Sequence, residues 1–212
     1  SAFTKAESDA SVSVILLSSV GRHFSAGADL NWMRSMVEAS YDENLVDAQK
    51  LARLMSTIND CCKPVVTKVR GAAFGGAIGL ISCSDIVIAE DSSSYALSEV
   101  KLGLSPATIS PFVIDAIGAR AARRLFLTGE VFNAEQALSL GLISEIASSD
   151  ALDDATNRII ASSRLQDYLD EEADEHISVG QKVDLLVSGH TDLGYKAVIN
   201  SDYIGLIFAN ET

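Results

Sequence analysis

The chain has 212 residues, 48% of them hydrophobic, and 16 Lys/Arg stand against 29 Asp/Glu for a net charge of −13. That length buries one sizeable core, or one core with a small appendage, and the apolar content excludes a disordered polymer. The acidity argues against a dedicated nucleic-acid binder, which presents a basic patch to phosphates.

In chain order, the opening SAFTKAESDA has no charged start leading into an apolar block, so no signal peptide is expected. Ser11 to Ser19 (SVSVILLSS) is a short β-branched run, expected as a strand buried on both faces. Like Ile86 to Ala89, it is far short of a membrane span. A turn, GRHFSAGADL, follows, and Leu30 to Ala39 has helical composition. Asp42 or Asn44 is then expected to cap a longer helix, with Leu45, Ala48, Leu51, Ala52, Met55 and Ile58 at helical spacing. Pro64 opens a second strand, Val65 to Val69, and GAAFGGAIGLISCSD reads as a glycine-rich turn running into an apolar helix. Ile86 to Ala89 is the third strand. Strand, turn, helix, strand is the rhythm of a mostly parallel sheet. Ser110 to Leu127 and Asn133 to Ser139 read as helices, with Gly141 stopping the second.

Cys61, Cys62 and Cys83 make an odd count with an adjacent pair, which fits reduced thiols in a cytoplasmic protein. His23, His176 and His190 share no ligand spacing, so no metal is expected. From Arg164 onward three Lys/Arg face ten Asp/Glu, a net −7, leaving −6 for the preceding three-quarters. The character of the chain changes near that point.

Two turns carry chemistry. Ser25 to Asp29 and Gly71 to Gly76 each sit where a strand hands over to a helix. The first N–H groups of a helix lack partners within it and carry partial positive charge. Glycine lets a ligand approach such backbone closely. Two such turns, about one βαβ unit apart, can aim two N–H donors at one oxygen, as an enolate made from a thioester requires. The plain alternative is that these glycines only permit tight turns and close packing.

HFSAGADL, then KPVVTKVRGAAFGGAIGLISCSDIVIA, YALSEVKLGL and RRLFLTGEVFNAEQALSLGLISEI resemble, in order, the enoyl-CoA hydratase/isomerase (crotonase) family over about Val12 to Ile160. HFSAGADLNWM with SPATISPFVIDAIGARAARRLFLTGE is most like members that hydrate methylglutaconyl-CoA and related branched, carboxylated enoyl-CoAs. The resemblance implies an α/β fold, a crotonase-like ββα spiral core incomplete at both ends, with a short β-rich C-terminal appendage. It implies an acyl-CoA thioester substrate, no separate cofactor, since coenzyme A is part of the substrate, and a homotrimer or hexamer.

The family's oxyanion donors fall on the backbone N–H groups of Ala28 and Gly76, within a substrate-binding set of Ala26, Gly27, Ala28, Asp29, Leu30, Gly75, Gly76 and Gly79. Of its two catalytic glutamates, Glu99 matches the second. The position of the first is Gly79, which has no side chain. Hydration needs one group to activate water and one to manage the proton at Cα. Moving a double bond needs only a single shuttling base. One glutamate therefore favours an enoyl-CoA isomerase, the overall similarity a hydratase, and a scaffold without activity is a third reading. If the pocket has room, Gly79→Glu is expected to restore the second carboxylate. Trp32 and Met33 line an acyl pocket or pack in the core. Glu130 is a second acid or a loop carboxylate. The arginines at 120, 123 and 124 meet phosphates or solvent.

Both ends depart from the family, whose members begin with a further strand and helix and finish with several helices. The expected division is 1–162 as the acyl-CoA-binding core and 163–212 as something else. GQKVDLLVSG, YKAVINSDY and IGLIFANE alternate like strands of a small antiparallel sheet. The tail resembles part of an S1-like RNA-binding protein of the conserved virulence factor B type, a partial OB fold. Its net −7 makes packing the commoner use of Tyr195, Tyr203 and Phe208, and nucleic acid an unexpected partner.

Overall fold

The computed structural model describes residues 2–27 and 39–163, and strand backbone at 185–191, 194–199 and 203–208. The chain divides into two compact units, residues 1–160 and 161–212. Ala28, Asp29, Leu30, Trp32 and Met33 lie outside the described residues, as does the helix expected from Leu30 to Ala39 apart from Ala39 itself.

In the first unit, helix α1 (Ala2–Ser8) leads to strand β1 (Ile15–Leu17). Helix α2 (Tyr41–Asn59) is followed by β2 (Val65–Val69), β3 (Ala72–Phe74), α3 (Gly76–Ser82), β4 (Ile86–Glu90) and β5 (Ser94–Ala96). A 3₁₀ turn (Ser98–Leu102), α4 (Ser110–Ile117), α5 (Ala119–Thr128), β6 (Val131–Asn133), α6 (Ala134–Ser139), β7 (Glu145–Ala147) and α7 (Leu152–Ser163) complete the order. The main sheet runs β1-β2-β4-β7 with every pair parallel. Val65, Val66, Thr67 and Val69 of β2 are all buried, as a strand flanked by β1 and β4 requires.

Strand β1 is shorter than Ser11 to Ser19 and less buried than expected. It pairs with β2 alone among the described strands, and that edge position leaves Leu16 42% exposed. A second correction concerns the cap of α2. Ser40, rather than Asp42 or Asn44, closes a capping box in which its hydroxyl accepts from the Glu43 N–H and Glu43 accepts from the Ser40 N–H. The helix expected from Ser110 to Leu127 is two helices. Gly118, at φ +78°, breaks it, and only glycine takes that conformation cheaply.

A second sheet, β3-β5-β6, pairs β3 with β5 in parallel and β5 with β6 antiparallel. Each of its strands has three residues, too few to show a period in sequence. The Tyr95 and Phe132 rings stack across it at 5.4 Å. Met55 and Ile58 of α2, Ile78 and Ile81 of α3, Ile109, and Val113 of α4 bury their side chains in one apolar cluster. Each such side chain contributes about 1.5–3 kcal/mol when fully buried, so α2, α3 and the approach to α4 are fixed against one another.

The second unit contains β8 (Leu185–Thr191), β9 (Gly194–Ile199) and β10 (Tyr203–Phe208), paired antiparallel in the order β10-β9-β8. Tyr195 lies on β9, and Tyr203 and Phe208 lie on β10. Among the described residues, no helix is long and apolar enough to cross a membrane.

Candidate active site

The two glycine turns meet through backbone. Ser25 bridges Ala73 of β3 in parallel register, its N–H donating to the Ala72 carbonyl and its carbonyl accepting from the Phe74 N–H. This places Ser25 to Gly27 beside the strand that leads into Gly75 and Gly76. Gly75, at φ +59°, is the N-cap of α3 and donates its N–H to the Ala96 carbonyl of β5. Gly76 is the first residue of the helix, where an N–H has no intrahelical acceptor. Among the described residues, no atom outside the chain neighbours would lie within 4 Å of a Cβ on Gly76 or on Gly27. Both stand open.

They open onto a cavity of about 650 Å³ whose lining includes Gly27, Gly76, Met55, Phe74, Glu99 and Thr108. Glu99 enters from the 3₁₀ turn after β5. A Cβ on Gly75 would lie 3.2 Å from Glu99 Oε1, so the carboxyl rests against the bare Cα of the turn. Glu99 Oε2 is buried with no hydrogen-bond partner among the described residues. Burial pushes the Glu99 pKa above the usual carboxylate value, opposed by its own backbone N–H. An acid held this way is a poised proton acceptor and donor.

Gly79 faces elsewhere. It is buried, and a Cβ there would lie 2.5 Å from Ile109 Cγ2, 2.8 Å from Ile109 Cβ and 3.2 Å from Met55 Cε. Ile109 fills the space that a side chain at 79 would need, and its Cβ is no flexible tip. The room required for Gly79→Glu is absent. Ala26, Gly75 and Gly79 do not line the cavity, although Ala26 and Gly75 belong to the turns that frame it.

The structure also sorts the other candidates. Glu130 pairs with Arg124, Oε1 to Nε at 3.0 Å, outside the cavity. Arg120, Arg123 and Arg124 line a separate hollow with Leu127. Sequence reading missed Lys50, Ser105, Thr108 and Ile109. The first three line the cavity as polar residues, and the fourth closes it over Gly79. The last three lie in LSPATI, between Gly103 and α4, which has no periodic pattern to attract notice.

With this geometry in view, comparison with known proteins decides the family. The model of the family described as enoyl-CoA hydratase/isomerase matches residues 1–167. This chain belongs to the enoyl-CoA hydratase/isomerase family. The crystal structure of an enoyl-CoA hydratase from Shewanella pealeana is similar at 50% identity and a TM-score of 0.74, covering 76% of this chain and 60% of that one. The 2,3-dehydroadipyl-CoA hydratase of Escherichia coli is 33% identical over 68% of this chain and 55% of its own length. The trans-2-decenoyl-[acyl-carrier-protein] isomerase of Streptococcus mutans is 33% identical over 73% of this chain and 60% of its own. The chain spans between 49% and 60% of the length of the first curated relatives it matches. Fold and family are shared. Hydratases and isomerases both stand among the relatives.

Proposed function

We propose that this chain carries the catalytic core of a hydratase acting on a branched, carboxylated enoyl-CoA thioester, of the methylglutaconyl-CoA hydratase type. The observation that carries the reading is Glu99, buried against the Gly75–Gly76 turn with a raised pKa and one unpartnered oxygen. The Gly76 N–H, with that of Ala28, holds the thioester oxygen as negative charge develops there. Ala26, Gly27, Asp29 and Leu30 complete the binding turn on one side and Gly75 on the other. Gly79 serves the site by admitting Ile109. Glu99 takes a proton from water as the water oxygen bonds to C3, then returns it to C2 as the enolate collapses. One carboxylate thereby serves both proton transfers.

Lys50, on α2, is the only basic side chain among the described residues lining the cavity, and it supports a carboxylate on the acyl group. The same reading gives a homotrimeric or hexameric assembly, supported by the apolar Leu102, Leu127 and Val131, each more than half exposed. A cytoplasmic location accompanies it, in keeping with free thiols at Cys61, Cys62 and Cys83. The division into 1–162 as core and 163–212 as an S1-like, partial OB-fold segment draws support from the three antiparallel strands of the second unit.

An isomerase is the second reading, favoured by Glu99 as the one matched catalytic glutamate and by the packed Gly79. Supplying 2-enoyl-CoA and 3-enoyl-CoA thioesters in heavy-oxygen water separates the two. A hydratase places the label in a 3-hydroxyacyl product. Efficient double-bond migration with unlabelled product would replace the first reading with the second.

A further inference from the structure

Attacking water needs more than one partner to point its lone pair at C3. A buried water typically makes about three hydrogen bonds, and Glu99 supplies one acceptor. A carboxylate at 79, the second partner by family resemblance, is sterically excluded by Ile109. Among the described residues, the other polar side chains on the cavity wall are Ser25, Asp47, Lys50, Ser105 and Thr108. Ser25 belongs to the bridge with Ala73, on the side of the glycine turns. Asp47 and Lys50 stand on α2, on neither the turn that carries Glu99 nor the segment that carries Ile109. Ser105 is exposed.

Thr108 is different. It directly precedes Ile109, whose side chain covers Gly79, and neighbouring Cα atoms are about 3.8 Å apart. Its half-buried side chain lines the same cavity as Glu99, one residue before the isoleucine that fills the space at 79. No described residue hydrogen-bonds the Thr108 side chain, and Glu99 Oε2 in the same cavity is buried without a described partner. A hydroxyl on the wall of a cavity and an unpartnered carboxylate oxygen in the same cavity are groups that a bridging water joins.

We infer that Thr108 positions the attacking water beside Glu99, in place of the family's absent first glutamate. This rests on the hydratase reading above. The hydroxyl orients the water while Glu99 accepts its proton; water oxygen bonds to C3, the double-bond electrons move to the thioester oxygen, and Glu99 returns the proton to C2. Thr108 gains and loses no proton overall. After addition, the C3 hydroxyl of the product occupies the water's place, so Thr108 contacts it directly.

That contact gives a test independent of turnover. Calorimetric titration of the whole chain with a saturated acyl-CoA and its 3-hydroxyacyl counterpart should show tighter binding of the hydroxy ester. Thr108→Val should lower affinity for the hydroxy ester roughly tenfold, the reach of one lost hydrogen bond, and leave the saturated ester unchanged. Thr108→Ser should keep the preference. In the hydration assay, Thr108→Val should lower kcat with little change in KM, and Thr108→Ser should retain turnover. Equal weakening of both esters in Thr108→Val would assign the residue to packing, and an undiminished preference would remove it from the water site; either overturns the assignment. Label missing from the product of the unmodified chain sinks the hydratase reading itself, and it shows in the turnover assay alone.

Discussion

Two neighbouring regions of one short helix have opposite surroundings. At its mouth, Gly76 faces open space, and a Cβ there would touch nothing within 4 Å; one turn on, at Gly79, a Cβ would strike Ile109 at 2.5 Å. In sequence both are simply glycines in GGAIG. The first lacks a side chain so that a ligand can reach backbone. The second lacks one so that a neighbouring β-branched residue can pack. The same residue type thus builds the cavity at one end of α3 and closes it at the other. Glu99 is left as the one carboxylate beside the turn.

The largest expected effect is at that carboxylate. Glu99→Gln keeps shape and removes the base, and turnover should fall by roughly 10²–10⁴. Stability should move the other way. Burial raises the Glu99 pKa in the folded state, so the folded chain binds the proton more tightly than the unfolded chain. Ionised Glu99 is therefore a cost above its folded pKa, and the cost fades as pH falls through that value. Glu99→Gln should melt higher than the unmodified chain at neutral pH, with the gap closing in acid. Thermal melts across pH read this directly, and a lower-melting Glu99→Gln at neutral pH would contradict the burial argument.

Gly76→Pro comes next. Proline is tolerated at the first helical position, so the fold should survive while one backbone donor disappears. Loss of such a donor costs on the order of 10²–10³ in turnover. Circular dichroism and kinetics on the same sample separate the two effects. Full activity in a folded Gly76→Pro chain would take the N–H out of the oxyanion site.

Much of this was legible in the sequence, and the limits have physical reasons. Strand β2 and the burial of Met55 and Ile58 follow from apolar runs and helical spacing long enough to show a period. The three-residue strands at 72–74, 94–96 and 131–133 are too short to show one. They hold the site nonetheless, since β3 delivers Gly75 and β5 delivers Glu99. The glycine turns were found from their composition, and Glu99 through the family resemblance, since one acid among 29 carries no mark of its own. Ile109 was not, because nothing local marks an isoleucine as the neighbour of a glycine thirty residues earlier. Thr108 and Lys50 escaped for a similar reason: a polar residue signals a cavity only once the wall is assembled around it.

The smallest effects test the two glycines against each other through stability alone. Gly79→Ala places a Cβ against Ile109 Cγ2 and Cβ and Met55 Cε, all in the buried cluster. Overpacking of this kind costs about 1–3 kcal/mol, since Ile109 cannot swing its branched carbon aside without disturbing the start of α4. Gly76→Ala meets no atom within 4 Å, and its φ lies outside the left-handed region that favours glycine. It restricts the unfolded chain without straining the folded one, which stabilises by about 0.4–1 kcal/mol. Urea denaturation of the pair should therefore give shifts of opposite sign from two identical substitutions three residues apart. Gly79→Ala combined with Ile109→Val should recover part of the loss, because removing one methyl relieves the clash while leaving little void. If Gly79→Ala were neutral and Gly76→Ala costly, the assignment of the open and closed sides of α3 would be reversed, and Gly79 rather than Gly76 would face the substrate.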